Sequence, residues 1–171
     1  MTSQRTILVE EAAPVFRKNQ FLLDPFLIEL TLFGERPFRV QIRLAGTEPG
    51  RSGPSEETLP PAVACLIEGA FGGALAYCGP LPPGLSDFAL SVLEETRRIP
   101  FGETITYGEL AKRIGRPRAA RAVGGALGRN PLPLLIPCHR VVGLGGALTG
   151  YSEGVGIKEA LLAWEKALIA P

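Results

Sequence analysis

The sequence predicts an α+β fold, with a small antiparallel sheet and a helix in its N-terminal part and a mainly helical C-terminal part. Alternating apolar and polar residues near position 40 predict strands, and apolar residues at helical spacing after position 87 predict helices. A stretch rich in proline and glycine separates the two patterns. At 171 residues, the chain can form one ordinary domain or two compact ones.

The strands come first. Residues 38–44 alternate strictly between apolar and polar side chains, as expected for a strand with one face on a core. The apolar run Phe26 to Phe33 ends at Gly34, Glu35, Arg36 and Pro37, so we predict that it pairs with that strand as a hairpin. A loop rich in glycine and proline follows at 46–53, and the apolar stretch 61–76 predicts a helix whose first turn holds Pro61.

A domain boundary is predicted at residues 78–86, which read CGPLPPGLS. Three prolines and two glycines in nine residues are typical of a linker. We therefore expect an N-terminal domain over 1–84 and a C-terminal domain over 85–171.

Three short helices are predicted after this linker. The first is capped by Ser86 or Asp87 and stops before Pro100, the second spans 107–114 behind a Thr106 cap, and the third spans 119–127. Two short helices joined by a tight turn are typical of a helix-turn-helix unit, although any three-helix bundle shows the same periodicity.

Composition excludes several classes of protein. With 46% hydrophobic and 20% charged residues, the chain is typical of a folded globular protein rather than a disordered one. The first 17 residues do not resemble a signal peptide, and no segment approaches the roughly 20 apolar residues that cross a bilayer. We expect a soluble protein of the cytoplasm, or of the nucleus in a eukaryote.

Positive charge is concentrated in one segment, although the formal net charge of the chain is only +1. Between Arg97 and Arg140 there are nine basic residues and only two acidic ones, Glu103 and Glu109. The basic residues are Arg97, Arg98, Lys112, Arg113, Arg116, Arg118, Arg121, Arg129 and Arg140. A solvated surface and a phosphate-binding surface both explain such a segment.

The third predicted helix carries mostly small side chains. Its small residues are Ala119, Ala120, Ala122, Gly124, Gly125 and Ala126. Such a helix can approach another backbone or a narrow nucleic-acid groove very closely, and it can equally pack against its own core.

Cys138 is the candidate nucleophile, because it lies beside His139, the only histidine in the chain. A lone cysteine at the edge of an apolar run is usually inert, but a nearby imidazole and several arginines would favour the reactive thiolate. Adjacent residues of an extended chain point to opposite sides, so communication between the two needs a bend at Pro137 or a bridging water. A histidine base also needs a third group to fix its tautomer, and we select Glu165 from the C-terminal helix predicted to begin near Lys158.

No metal site or cofactor is predicted. One histidine is too few for a structural zinc site, and Cys65, Cys78 and Cys138 lack the close spacing of metal ligands. In a reducing compartment we expect free thiols rather than a disulfide between Cys65 and Cys78.

Four motifs in order resemble the methylguanine-DNA methyltransferases, also called alkylguanine alkyltransferases. They are IPFGETITYGELA at 99–111, RAARAVGGALGRNP at 118–131, LLIPCHRVV at 134–142 and GYSEGVGIKEALLAWE at 150–165. The similarity extends over about half of the chain, and PCHRV resembles the active-site motif of that family. The N-terminal part resembles the family only in outline.

The resemblance implies a catalytic role for five residues. Cys138 would accept the alkyl group, His139 would activate it through a water, and Glu165 would orient the histidine. Tyr107 would donate a proton to the departing guanine and crowd the adjacent phosphate, and Asn130 would brace the turn before the active-site loop.

The resemblance also implies a duplex DNA partner that carries O6-alkylguanine, with O4-alkylthymine as an alternative substrate, and a monomeric protein that acts once. Arg121 would enter the base stack in place of an extruded nucleotide. Further DNA contacts would come from Tyr107, Ala122, Gly124, Arg118 and Arg140. The base pocket would include Val141, Tyr151 and Ser152.

Three other functions remain as alternatives. A DNA-lesion binder without transfer activity would carry another residue in place of the acceptor cysteine, whereas this chain has Cys138. A transcriptional regulator would carry larger base-reading side chains on its recognition helix than Ala122 or Gly124. A cysteine hydrolase would turn over.

Overall fold

The computed structural model describes residues 16–23, 26–33, 36–44 and 79–169, and it confirms the α+β architecture. Three antiparallel strands form the N-terminal sheet, namely β1 (Phe16–Leu23), β2 (Phe26–Phe33) and β3 (Arg36–Leu44), in the order β1-β2-β3. The predicted hairpin is the β2–β3 pair. The register of this pair shifts between Thr31 and Leu32. Leu32 lies opposite Pro37, which has no N–H to donate to the ladder.

The strand β1 was not predicted. Four successive polar residues at 17–20 interrupt the alternation that identifies a half-buried strand. Pairing with β2 along its whole length decides its conformation. The predicted helix at 61–76, the loop at 46–53 and the thiols of Cys65 and Cys78 lie outside the described residues.

The three helices that follow the linker agree with the prediction within one to three residues. Helix α1 is Asp87–Thr96 with Ser86 as its N-cap, α2 is Tyr107–Arg113 and α3 is Ala120–Leu127. At the start of α2, Thr106 and Glu109 form a capping box, which fixes where the helix begins. The three helices pack on each other, so α2 and α3 form the two helices of the predicted helix-turn-helix unit.

A short parallel sheet joins the helix-turn-helix to the Cys138 region. Its strands are β4 (Ile105–Thr106) and β5 (Val141–Val142), and β5 directly follows a 3₁₀ turn at Cys138–Arg140. A second 3₁₀ turn at Leu144–Gly146 leads toward the last helix, α4 (Val155–Ile169). This helix begins three residues before the predicted start at Lys158. The β4–β5 pairing places the start of α2 beside the turn that carries Cys138.

The N-terminal sheet and the helices share buried contacts. Val40 and Ile42 of β3 belong to the same apolar cluster as Leu93 of α1 and Leu161 of α4. The Val40 N–H also donates to the Pro131 carbonyl at 2.8 Å. The boundary between two domains near residues 78–86 stays a prediction.

None of the helices in the described part of the chain is long and apolar enough to cross a membrane.

Candidate active site

Asn130 holds together the loop that leads to Cys138. Its side-chain oxygen accepts from the Leu132 N–H at 3.0 Å, and its amide donates to the Ile136 carbonyl at 2.9 Å. The same amide donates to the Cys138 sulfur at 3.1 Å. Asn130 thus braces the loop, as the resemblance implied, and in addition touches the thiol.

Cys138 is buried, with 4% of its surface exposed, and its thiol is free. The 3₁₀ turn that it begins supplies the bend after Pro137 that the sequence required. Burial raises the pKa of the Cys138 thiol to about 11, whereas the Asn130 hydrogen bond and the Lys158 ammonium oppose that increase. The expectation that arginines and His139 would favour the thiolate is therefore wrong for the resting protein, because desolvation dominates.

His139, Glu165 and Arg140 form a buried cluster behind Cys138. The His139 Nε2 lies 2.7 Å from Glu165 Oε1, and the Arg140 guanidinium donates to both carboxylate oxygens at 2.9 to 3.1 Å. Burial alone would raise the pKa of Glu165, but the hydrogen bonds from His139 and Arg140 lower it to about 2. Glu165 is therefore a carboxylate at neutral pH.

The tautomer of His139 follows from that charge. A carboxylate only accepts hydrogen bonds, so Nε2 must carry the hydrogen and Nδ1 is left with the lone pair. Nδ1 is buried and has no hydrogen-bond partner among the described residues. Burial lowers the pKa of His139, although Glu165 opposes this, so the ring is neutral at neutral pH. Nδ1 is thus an available proton acceptor next to the cysteine.

Gly102 completes the support of Glu165. Its N–H donates to Glu165 Oε2 at 2.8 Å. The backbone there has φ +76°, and a Cβ atom would lie 2.5 Å from the end of the Ile169 side chain. This positive φ favours glycine, and the end of the exposed Ile169 side chain would have to move to admit a Cβ atom.

Lys158 is fully buried, and the sequence analysis did not assign it to the site. Its ammonium donates to the Val141 carbonyl at 2.5 Å and lies 3.5 Å from the Tyr107 hydroxyl. Its positive charge favours the Cys138 thiolate. Lys158 precedes Glu165 by seven residues, so both lie on one face of α4, and this spacing is the signal that could have identified it.

A cavity of about 590 Å³ opens onto Cys138. One wall comes from α3 and the start of α2, and the other from the segment 149–152. The residues that line it are Tyr107, Ala120, Arg121, Gly124, Leu127, Gly128, Cys138, Thr149, Gly150, Tyr151 and Ser152. Of the eight residues predicted for the reaction and the pocket, four line the cavity, namely Tyr107, Cys138, Tyr151 and Ser152, whereas Asn130, His139, Val141 and Glu165 do not.

Two tyrosines face this cavity. The Tyr107 hydroxyl donates to the Thr149 carbonyl at 2.9 Å, and the Tyr151 hydroxyl is buried without a hydrogen-bond partner of good geometry among the described residues. Burial, followed by the proximity of Cys138, raises the pKa of both phenols. Both tyrosines therefore keep their protons at neutral pH.

Comparison with known proteins identifies the family. Residues 87–167 match the family model described as 6-O-methylguanine DNA methyltransferase, DNA binding domain. A methylated-DNA–protein-cysteine methyltransferase of Mycolicibacterium paratuberculosis is 44% identical over 143 residues, which are 80% of this chain and 86% of that protein. The chain belongs to the methylated-DNA–protein-cysteine methyltransferase family. The resemblance inferred from the four motifs is thereby confirmed.

Other relatives agree with this family. A protein of the same description from Methanosarcina acetivorans is 50% identical over 100 residues, and the match spans 58% of this chain and 64% of that relative. The crystal structure of Mycobacterium tuberculosis O6-methylguanine methyltransferase has a TM-score of 0.69 at 35% identity and covers 92% of this chain and 96% of that one. A structure of the M. tuberculosis protein in complex with DNA has a TM-score of 0.68, also at 35% identity, and covers 88% and 93%.

Arg140 differs from Arg118 and Arg121, the other arginines predicted to contact DNA, because its side chain lies inside the protein. It is buried, with 8% exposure, and its guanidinium is bound to Glu165 and to the Ile99 carbonyl. It also lies over the Phe101 ring at 5.3 Å. Three of its five N–H donors thus bind within the protein, and its predicted DNA contact stays a prediction.

The remaining basic residues between positions 97 and 129 lie at the surface. Arg97, Arg98 and Arg113 form ion pairs with Glu94 or Glu95. The five others are exposed and, in the described part of the chain, show no ion pair. They are Lys112, Arg116, Arg118, Arg121 and Arg129.

One face of α3 packs on the core and the other is exposed, so its small residues are compatible both with core packing and with close approach to a partner. Val123, Ala126 and Leu127 face the core, whereas Arg121, Ala122 and Gly125 are exposed. A Cβ atom at Gly124 would lie 3.7 Å from the Tyr107 ring, an ordinary contact distance, so Gly124 lies beside this ring at the wall of the cavity. The exposed face therefore offers backbone and one arginine to a partner.

No group of three histidine, cysteine, aspartate or glutamate residues that could hold a metal ion is found in the described ranges.

Proposed function

We propose that this protein repairs alkylated DNA directly, by moving an alkyl group from O6 of guanine to Cys138 and keeping it there. The observation that carries the proposal is the position of the Cys138 thiol at the wall of a cavity that also meets Arg121 of α3. His139, whose buried Nδ1 has no hydrogen-bond partner among the described residues, follows Cys138 in the chain. The family and the DNA complex of the M. tuberculosis protein support it.

Proton removal is the first requirement of the transfer. At a pKa of about 11 the thiol is protonated at neutral pH, and only the thiolate is an effective nucleophile. His139 Nδ1 accepts the thiol proton through a bridging water, and Glu165 stabilises the imidazolium that results. Lys158 and the Asn130 amide stabilise the developing negative charge on sulfur.

The displacement then occurs at the alkyl carbon. A sulfur–carbon bond forms as the bond between that carbon and O6 breaks, and the electron pair leaves with guanine. Tyr107 donates a proton to the guanine, which neutralises the developing negative charge. Tyr107 recovers a proton through solvent as His139 releases the thiol proton, so overall the sulfur loses one proton, the guanine gains one, and the reaction needs no cofactor.

The product explains a single turnover. The cysteine becomes a thioether, and the mechanism includes no nucleophile that would cleave it. The protein is therefore consumed stoichiometrically.

Access to the alkyl group requires base flipping, because O6 of guanine lies within the stack of the duplex. The exposed small residues of α3 allow its backbone to enter the minor groove, and Arg121 fills the space of the extruded nucleotide. The five exposed basic residues without ion pairs supply phosphate contacts. Tyr151 and Ser152, which line the cavity, enclose the flipped base, and a main-chain group at Val141 reads its edge. Alkylated thymine is an alternative substrate, and the protein acts as a monomer.

The proposal is tested by mass spectrometry after incubation with duplex DNA that carries O6-methylguanine. We expect one methyl group per protein, located on the peptide that contains Cys138, and no further uptake with excess DNA. Repeated turnover would indicate a hydrolase or another enzyme, and the absence of transfer despite lesion binding would indicate a binding protein. An unmodified protein that binds undamaged DNA with sequence preference would indicate a regulator.

The Arg121→Ala variant separates base flipping from chemistry. We expect it to slow transfer from duplex DNA roughly tenfold or more, since base extrusion costs a few kcal/mol, but to leave transfer from the free O6-alkylguanine base unchanged. The Arg129→Ala variant is the matched control, because Arg129 is exposed but does not line the cavity. Single-turnover rates on the two substrates give the comparison. Equal slowing on both substrates would mean that Arg121 is a structural residue of the pocket.

A further inference from the structure

The outer edge of β3 faces the candidate active site. In an antiparallel pair, alternate residues direct their N–H groups to the same side of the strand. The Val40 N–H points away from β2, since it donates to the Pro131 carbonyl at 2.8 Å. By the same alternation, the Ile42 N–H also points to this outer edge.

Both of these N–H groups have partners in the C-terminal part of the chain. Burial raises the pKa of the Glu153 carboxyl, and a hydrogen bond from the Ile42 N–H and the nearby charges of Arg43 and Arg39 oppose that increase. An edge strand with unpaired N–H groups is a site for pairing, and here a carbonyl and a carboxylate occupy it. The outer edge of β3 is thus used within the molecule.

Each partner belongs to a segment that builds the site. Pro131 follows Asn130, whose amide touches the Cys138 sulfur. Glu153 follows Tyr151 and Ser152, which line the cavity. Two opposite parts of the site therefore meet the same strand.

The segment 149–154 is held at both ends. At its start, the Tyr107 hydroxyl lies 2.9 Å from the Thr149 carbonyl and 3.3 Å from the Gly150 carbonyl. At its end, Glu153 binds β3, just before Gly154 at φ +104°. Between these attachments, Gly150 and Ser152 are exposed, whereas the Tyr151 side chain packs against the apolar core.

The strand itself has little freedom to shift. The side chains of Val40 and Ile42 are 3% and 0% exposed, and they belong to the apolar cluster that includes Cys138. A displacement of β3 would have to disturb this close-packed core. Because β3 is held in place in this way, it can fix the positions of the two segments that bind to its outer edge.

We propose that the outer edge of β3 positions the two segments that form the candidate active site, and that Glu153 is the positioning residue for the pocket segment 149–154. The N-terminal sheet thereby contributes to the site without touching the substrate. The kinetic part of this inference rests on the proposed alkyl transfer.

Amide hydrogen exchange tests the attachment without any reference to activity. In Glu153→Ala, we expect the Ile42 amide to exchange roughly tenfold faster, as for the loss of a hydrogen bond to a charged group. The Val40 amide, which binds Pro131, should keep its rate and is the internal control. Glu159→Ala removes an exposed glutamate of α4 and should change neither amide.

Transfer from the free O6-alkylguanine base tests the consequence. In Glu153→Ala we expect the half-saturating concentration of the base to rise roughly tenfold, a change of about 1.4 kcal/mol, with a smaller change in the maximal rate. Glu153→Gln retains an oxygen that accepts from the Ile42 N–H, so it should restore saturation close to that of the unmodified protein.

The glutamine variant also separates the attachment from charge. Glu153 faces Cys138 and Tyr151 on one side and Arg39 and Arg43 on the other, and both substitutions remove its negative charge equally. A charge effect on the thiol would therefore appear in both variants as the same shift of the pH profile of Cys138 alkylation by iodoacetamide. The saturation defect should appear in Glu153→Ala alone.

Two outcomes would overturn the inference. Equal saturation defects in the alanine and glutamine variants would assign the effect to charge, and an Ile42 amide as well protected in Glu153→Ala as in Glu159→Ala would remove the attachment. If the unmodified protein accepts no alkyl group from either substrate, the proposed function fails, whereas the exchange experiment still decides the role of Glu153.

Discussion

Cys138→Ser is expected to abolish methyl transfer and to leave the affinity for duplex DNA within about twofold. The serine hydroxyl is nearly isosteric with the thiol and can accept the hydrogen bond from Asn130, so the loop should keep its structure. An alcohol is, however, a much weaker acid and nucleophile than a thiol, and the thiol already requires assistance at a pKa of about 11. Methyl uptake by mass spectrometry and DNA affinity by fluorescence anisotropy give the two measurements.

The other cysteines supply the controls for this experiment. Cys65→Ser and Cys78→Ser should take up one methyl group per protein, as the unmodified chain does. Normal methyl uptake by Cys138→Ser would show that another residue is the acceptor, and the proposed function would lose its nucleophile.

Glu165→Gln is expected to reduce the free energy of unfolding by about 3–5 kcal/mol at neutral pH, because it leaves the buried guanidinium of Arg140 without its counter-charge. Transfer should also slow roughly a hundredfold, because the positive charge of Arg140, no longer balanced by Glu165, makes His139 a weaker base. Urea unfolding and single-turnover rates measure the two effects. Glu159→Gln, on the exposed side of the same helix, should alter neither.

The pH dependence of that stability difference has a definite sign. The pKa of Glu165 falls from an ordinary value of 4.5 to about 2 on folding. The charged carboxylate therefore stabilises the folded state fully at pH values above 4.5. As the pH falls from 4.5 toward 2, the carboxylate becomes protonated and this contribution is lost. The difference between the unmodified protein and Glu165→Gln should therefore shrink over this interval, and a constant difference would contradict the pairing of Glu165 with His139 and Arg140.

Local sequence signals were sufficient for the elements that depend on near neighbours. Thr106 and Glu109 stabilise the first turn of α2 by hydrogen bonds within four residues, so the start of that helix can be read directly from the chain. The alternation in β3 likewise reports which of its residues are buried. The strand β1 has no comparable local signal, because its conformation depends on β2.

The same distinction applies to the site. PCHRV identifies the cysteine and the histidine, because both depend on adjacent residues. The bend at Pro137 was one of two alternatives, and the structure places a 3₁₀ turn there. Glu165 could be selected from its helix as the group that orients His139. Its ion pair with Arg140 could not be predicted, because the sequence does not distinguish Arg140 from the exposed arginines of the same segment. Only the packing of α4 against the 3₁₀ turn decides that this guanidinium is buried.

The sequence by itself therefore determined the family and the order of the helices, and it selected Cys138 as the candidate nucleophile, because these depend on residue types and short spacings. The tertiary structure alone decided the ionisation of Cys138, since its pKa depends on burial and on the charge of Lys158. It also decided the internal role of Arg140 and the attachment of Glu153 to β3. These features join residues far apart in the chain, and desolvation and hydrogen bonding between them arise only when the whole core has packed.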